Sequence, residues 1–436
     1  MLSTETVLNM LTGADGSNSA GKFSLLNRSG NIESFTIPTI MAPADEKGDP
    51  LKKNTNVDST DRLHVRIISN SLHSKYFFVG DVARGKDGLV EPQTDEKTQI
   101  IENKSTSDLH FVNILTGLAI AAIKRFTDEI GEAKTLNVNV PYYGGLPIKE
   151  FKEMGGEGFL NRILGRHTIE FLDGLHQGIT VILIIDTGEI YIEGATTQMS
   201  LTNNIVEGKI VDIDGVADKL DDGDYVVGDL GAGSSDIALF EHDGLNGTSS
   251  TNYSFGTNLF IDRMITEIAA LPDFDDIRTI LEESGENNKS PYTNRDEFMK
   301  RVIKPVIEQM ITTELKEAKE KGAKVKETKD KDNGPKFTAS WGMRRNVDVT
   351  DIVLKHMKDY YDGALKLLQN FSITKAQNAN NFFLVGGGLL FAYPYFKDID
   401  YFQLPPKEMI LESPFFTSRA YLIAAKLEEE LKTVSN

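Results

Sequence analysis

The stretch Asp229-Leu230-Gly231-Ala232-Gly233-Ser234-Ser235-Asp236 (DLGAGSSD) lies between the apolar runs YVVG and IALFEHDG. Period-two alternation on both sides of a run of small residues predicts a hairpin over 225–244 that reverses through its glycines. Small residues at such a reversal let backbone N–H groups come close to an anion. The carboxylate of Asp229 falls at the strand end, where it can hold a hydrated cation or an attacking water. An ordinary hairpin turn uses the same residues, so the stretch alone leaves both readings open.

A second strand-loop-strand opens the chain, in GADGSNSAGKFSLLN (13–27). Gly16, four residues and then Gly21-Lys22 imitate a P-loop. The position that needs a magnesium-binding hydroxyl holds Phe23, however, and FSLLN, the turn formers NRSGN and IESFTIP predict two strands where a P-loop opens a helix. Asp15 at the end of the first strand, with glycines after it, repeats the arrangement at Asp229. Two phosphate-facing hairpins in this order predict a duplicated, two-lobed nucleotide clamp.

Composition bounds the alternatives. The 436 residues suffice for two domains with large cores. The 47 Lys and Arg against 65 Asp and Glu leave a net charge of −18, which disfavours direct binding to nucleic acid or an anionic membrane. Without cysteine there is no disulfide, thiolate metal site or thiol nucleophile, and the seven histidines show no metal-ligand spacing. The apolar run VILII (181–185) is far shorter than a membrane span, and no N-terminal leader pattern is present. The expectation is a soluble, cytoplasmic protein.

Along the chain, short β-branched runs alternate with helical patterns, which argues for α/β architecture. TLNVNVPYY (135–143) reads as a strand after a long buried helix over 109–130, and GITVILIIDTGEIYIEG (178–194) as two strands through a turn at Asp186. NNFFLVGGGLLF (380–391) reads as a strand running into three glycines, and 413–434 as a terminal helix capped by Thr417. The charged stretches 42–60 and 316–336 read as solvated peripheral insertions, with a filament or adaptor contact as the sharper alternative.

Five segments, in order, resemble the actin-like ATPase superfamily: ADGSNSAGK (14–22) as first phosphate loop, VNVPYYGGLP (138–147) as first connecting segment, DLGAGSSD as second phosphate loop, FLVGGGLLF (383–391) as adenosine segment and SPFFTSRAYLIAAKL (413–427) as second connecting segment. SFTIPTI, VPYYGGLP and SFGTN (254–258) look most similar to the bacterial plasmid-segregation actins of the ParM type. The resemblance implies a two-lobed, ribonuclease H-like duplicated fold with the nucleotide cleft between lobes. Lobe I is then 1–200, with an insertion at about 42–110 and the returning helix 413–436, and lobe II is 201–412, with a helical, charged insertion at about 260–375.

The resemblance also implies roles. Asp15 and Asp229 orient Mg²⁺ through water, and Lys22 contacts phosphate, although the family's D-x-G is here D-G-S, so Ser17, Asn18 and Ser19 carry the hydroxyl and amide contacts. A lysine pointing to solvent is the alternative for Lys22. Gly231, Ala232, Gly233 and Ser234 form the second phosphate loop, with Gly256, Thr257 and Asn258 beside the phosphates and ribose. Gly386, Gly387 and Gly388 lie flat against adenine, and Glu297 and Lys300 share a helix face near ribose or base. Glu193 falls where the family places its water-polarising carboxylate, with Gln198 as fallback; a charge at a helix N-terminus is the plain reading of Glu193.

A polymerising ATPase using ATP/ADP and Mg²⁺ therefore ranks first. It would form dynamic homopolymer filaments and segregate plasmid DNA through an adaptor protein bound to centromere-like DNA. A small-molecule kinase of the same fold ranks second, since VPYYGGLPIKE lacks the catalytic Asp that a sugar or acetate kinase carries there.

Overall fold

Local turn chemistry cuts the first forty residues into strands. Asn27 Oδ1 accepts the backbone N–H groups of Ser29 and Asn31, and Gly30 takes the left-handed φ of +76° that this turn requires. The result is β1 (Val7–Asn9) followed by a meander of β2 (Thr12–Gly16), β3 (Ala20–Leu26) and β4 (Ile32–Pro38). Register across the meander pairs Asp15 with Lys22 and Lys22 with Thr36.

The computed structural model describes residues 6–47, 58–72, 75–92, 103–131, 134–285, 290–292, 294–321, 334–399 and 402–434. They divide into two units, Met1–Asp222 with Ser250–Asn252 and Phe415–Asn436, and Gly223–Ser249 with Tyr253–Pro414.

The first unit continues with β5 (Met41–Pro43), β6 (Leu63–Ile68), β7 (Tyr76–Val79), β8 (Thr135–Asn139), β9 (Tyr142–Leu146), β10 (Gly165–Phe171), β11 (Thr180–Ile185) and β12 (Gly188–Ile192). These strands build a seven-stranded sheet, β1-β8-β11-β10-β6-β7-β5, and a five-stranded sheet, β12-β9-β2-β3-β4. Four chain segments (β1–β2, β4–β5, β8–β9, β11–β12) each give one strand to either sheet. Two expectations are corrected by this. The stretch 135–143 is two strands broken at Pro141, whose missing N–H interrupts a ladder. The strands of 178–194 do not pair with each other: β11 joins β8 and β10, and β12 joins β9.

Helix α1 (Asp108–Arg125) touches β2 and β3 of one sheet and β10 and β11 of the other, which explains why fifteen of its residues, Leu109 to Ile123, are buried. It stops at Arg125, short of the expected residue 130, and a 3₁₀ turn over Thr127–Glu129 follows. The helix Phe416–Val434 packs on β2, β3 and β9. A Cβ on Gly13 would lie 1.9 Å from the Ser418 carbonyl, and one on Gly16 would meet Ile114 of α1 at 3.2 Å, so odd and even positions of β2 address different helices. Thr417 is not the cap of the terminal helix. It lies inside the helix, its hydroxyl 3.1 Å from that of Thr197, because a 3₁₀ segment, Lys407–Phe415, already supplies the entry.

The second unit pairs Tyr225–Leu230 with Ser235–Glu241 antiparallel and with Asn381–Val385 parallel, and Phe402–Gln403 extends the sheet. Its core gathers Phe260, Met264, Phe298, Phe337, Tyr360 and Phe371, with Tyr360 stacked on Phe255 at 5.3 Å. Of the charged stretches, 48–57 and 322–333 lie outside the described residues. Ala42 is fully buried in β5, so the first of these stretches begins inside the core, and the second begins on the helix Lys304–Lys321. Among the described residues, no helix is long and apolar enough to cross a membrane.

Candidate functional site

In the first unit the site begins at the end of β2. Asp15 is 3% exposed, and Lys22, opposite it on β3, donates to its Oδ2 at 3.1 Å. Lys22 thus follows the strand pleat toward the carboxylate, and Phe23, with the opposite parity, is fully buried in the core. The GK dipeptide is strand, and no helix follows it.

The loop between Asp15 and Lys22 is tied down on two sides. Thr39 donates its hydroxyl to the Ser17 carbonyl at 2.6 Å and its N–H to the Ser19 carbonyl at 3.2 Å. Asn18 Oδ1 meets His110 Nε2 of α1 at 2.9 Å. The side chain of Ser19 is exposed. Gly21 is a glycine because Asn113 Oδ1 lies 2.0 Å from where its Cβ would be, and Asn113 also donates to the carbonyls of Ile37 and Pro38.

Glu193 follows β12, its N–H bonded to the Leu146 carbonyl at 2.9 Å and its side chain buried. Lys104, also buried, donates to Glu193 Oε1 at 2.5 Å. Lys104 belongs to a strap just before α1. The carboxylate of Glu150, on α2 (Ile148–Met154), accepts from the N–H of Lys104 at 3.1 Å and from the N–H and hydroxyl of Ser105 at 2.8 and 2.6 Å. Lys104, Ser105, Glu150 and His110 were missed by the sequence reading. No local signal marks Lys104, which meets a carboxylate 89 residues away in the chain. Gln198 is half-buried at the start of the short helix Gln198–Thr202.

Burial, helped by the nearby Lys104 charge and opposed by Asp15, pushes His110 down to about 3, so its ring is neutral. Tyr142 of β9 is fully buried, and burial together with the charges of Asp15 and Glu193 holds its phenol far above the usual range. The first unit therefore gathers two buried carboxylates, Asp15 and Glu193, each matched by a lysine.

In the second unit Asp229 and Asp236 face each other across the hairpin, which closes with Gly231 N–H on the Ser234 carbonyl at 2.9 Å. The turn, Gly231 to Ser234, is at least partly exposed throughout, and Gly233 most so. The Asn258 N–H donates to the Ala232 carbonyl at 2.9 Å, and a Cβ on Gly256 would stand 2.2 Å from that carbonyl oxygen. The turn and Gly256-Thr257-Asn258, at the head of the helix Asn258–Ala269, are thus one structure. The three glycines differ in kind. Gly386 has φ +99° and no room for a Cβ beside Asp229 Oδ1, and Gly388 has none beside the Tyr360 hydroxyl; only Gly387 borders open space. Glu297 and Lys300 pair with their own helix neighbours, Arg301 at 3.0 Å and Asp296 at 2.9 Å.

Among the described residues, no group of three His, Cys, Asp or Glu side chains could hold a metal directly. The donors present fit a cation reached through water, to which Asp15 or Asp229 offers one carboxylate each. Ala232, Gly233 and Ser234 of the turn are at least partly exposed, and nothing lies within 4 Å of where a Cβ on Gly387 would stand, so both places leave room for a ligand.

No protein-family model matches the sequence, and no curated protein matches it. Solved structures do. Bacillus thuringiensis ParM with ATP is 34% identical, over 96% of this chain and 99% of that one, with a TM-score of 0.74. The chain belongs to the ParM family of actin-like proteins. The same Bacillus thuringiensis ParM has also been solved with AMPPNP and with ADP, each with a TM-score of 0.72 to this chain. The actin-like protein Alp7A shares the fold at 17% identity, with a TM-score of 0.66 over 98% of this chain. The doubly built α/β architecture is thus that of ParM and its actin-like relatives.

Proposed function

We propose that this ParM-family chain is an ATPase whose nucleotide cycle drives assembly and turnover of a homopolymeric cytoplasmic filament. By the same reading, the filament moves plasmid DNA through a DNA-binding adaptor. The observation that carries this reading is the 34% identity along 96% of the chain with a ParM solved with ATP.

The chemistry available agrees with it. Phosphoryl transfer to water is mostly positioning and charge neutralisation. The Ser17–Ser19 loop and the Gly231–Ser234 turn offer amides and hydroxyls to phosphates, Lys22 offers a positive charge, and Glu193 offers a carboxylate to orient water. Bound Mg²⁺ would supply charge neutralisation, with Asp15 and Asp229 as the residues that fit it. The kinase reading is weakened further because β9 carries no carboxylate and Glu150, the nearest acid after it, is committed to the Lys104–Ser105 strap.

Right-angle light scattering with pelleting and phosphate release, on purified protein given ATP and Mg²⁺, tests the proposal. Scattering that rises on ATP addition and decays as phosphate appears is expected. A flat trace at high concentration and across salt would overturn the filament reading.

A further inference from the structure

The buried pair Lys104–Glu193 has no place in the nucleotide reading as it stands. Both side chains are more than nine-tenths buried, and the ammonium meets Glu193 Oε1 at 2.5 Å. The main chain of Lys104 is itself fixed, because Glu150 binds two successive backbone N–H groups, those of Lys104 and Ser105, as well as the Ser105 hydroxyl. Arg162 adds a bond to the Ser105 carbonyl at 3.3 Å and an ion pair with Asp108, at the start of α1. A lysine is a flexible point charge on a four-carbon stem, and this one is carried on a strap bound at consecutive residues.

We propose that Lys104 is a positioning residue for hydrolysis: from the strap clamped by Glu150, it holds the Glu193 carboxylate ionised and in place to orient the attacking water. The inference rests on the reading of Glu193 as the water-orienting group. A buried carboxylate without a cation takes up a proton, and a protonated carboxyl has lost much of its power to accept from water. The charged and titratable groups around this pair include the Glu150 carboxylate on α2, the Arg162 guanidinium bonded to the Ser105 carbonyl, the neutral His110 ring on α1, the Tyr142 phenol on β9 and the Asp15 carboxylate on β2, itself matched by Lys22. Lys104 meets the Glu193 carboxylate at 2.5 Å, so removing its ammonium takes a buried positive charge away from the water-orienting group.

The test measures phosphate release against pH, with nucleotide affinity, in Lys104→Met, Lys104→Arg, Glu193→Gln and the double variant Lys104→Met/Glu193→Gln. Lys104→Met is expected to bind nucleotide within about twofold of the parent and to lose about tenfold in hydrolysis at pH 7, recovering as pH rises toward 9, since buried glutamates titrate in that range. The direction follows from the required form: the carboxylate is lost as pH falls and returns as pH rises. Lys104→Arg keeps the cation and is expected to restore most of the neutral-pH rate. In the Glu193→Gln background, Lys104→Met is expected to add nothing further, because a residue acting only through another is silent once that partner is gone. The double variant carries neither buried charge, so it also shows whether a poorly folded single variant suffers from the unpaired charge alone. A Lys104→Met enzyme with the parent's rate and pH profile, or a further loss in the Glu193→Gln background, would overturn the proposal. A Glu193→Gln enzyme with the parent's rate would overturn the reading of Glu193 itself, whatever Lys104 does.

Discussion

At the scale of single residues, Glu193 separates binding from chemistry. Its carboxylate is reached by Lys104, its N–H is held by the Leu146 carbonyl, and it stands just past the end of β12. Glu193→Ala is expected to keep nucleotide affinity and to slow hydrolysis by about 10² or more, the loss typical when a transition-state interaction goes. Phosphate release and equilibrium nucleotide binding on one preparation check this, and polymer that forms normally but disassembles late is the matching assembly phenotype. Gly256 predicts the reverse. A Cβ there collides with the backbone of Ala232 and Gly233 at 2.2 to 2.7 Å, which a side-chain rotation cannot relieve. Gly256→Ala is expected to displace the Gly231–Ser234 turn and weaken nucleotide binding at least about tenfold, a change that titration with a fluorescent ATP analogue would read.

At the scale of elements, the contact between β2 and the terminal helix is a backbone-to-backbone approach that only glycine permits. An added Cβ at Gly13 would stand 1.9 Å from the Ser418 carbonyl and 2.6 Å from the Leu422 N–H nitrogen. Gly13→Ala is expected to cost about 3 kcal/mol, the upper part of the overpacking range, and to lower the denaturation midpoint. Because Asp15 lies two residues along the same strand, hydrolysis should fall with it. The segment 322–333 predicts indifference instead. Its composition, GAKVKETKDKDN, has no apolar side chain larger than Val325 to contribute to a core. A Gly/Ser linker in its place is expected to leave nucleotide affinity unchanged, and loss of binding would show that the segment belongs to the second unit's fold.

The two hairpins and the strand entering Gly386 were legible because turn chemistry is local: glycines and short polar residues between period-two runs carry their own signal. The sheet to which each strand belongs was not. TLNVNVPYY (135–143) read as one strand because nothing within those nine residues reveals that β8 pairs with β1 and β11 while β9 pairs with β2 and β12. Likewise Thr417 looked like a cap by residue type, and only the preceding 3₁₀ segment places it inside the helix.

For the whole molecule, buried histidines make stability fall as the solution is acidified. Burial lowers His64, His110, His167 and His176, and His110 most, to about 3. Between pH 6.5 and 3 the unfolded chain binds a proton at His110 that the folded chain refuses. Stability from this group is complete above pH 6.5 and declines as pH falls. At pH 5 the loss is about 2 kcal/mol from His110 alone. The unfolding midpoint is therefore expected to drop from pH 7 to pH 5, and His110→Gln, which keeps a polar group toward Asn18, is expected to flatten part of that slope. A midpoint independent of pH over this range would contradict the burial of these rings.

The sequence by itself determined the α/β class, the two Gly-rich hairpins with Asp15 and Asp229 at their strand ends, and the actin-like order of segments, and the resemblance pointed to Glu193. The hairpins are properties of short windows, where a turn or a strand end is written in adjacent residues. Only the tertiary structure decided what surrounds them: that Lys22 turns onto Asp15, that Gly256 exists to admit Ala232, and that Lys104, 89 residues before Glu193, is clamped by Glu150 to face it. A buried charge can be balanced by any cation that the fold brings within about 3 Å, so its partner is chosen by packing in three dimensions and leaves no spacing in the sequence to read.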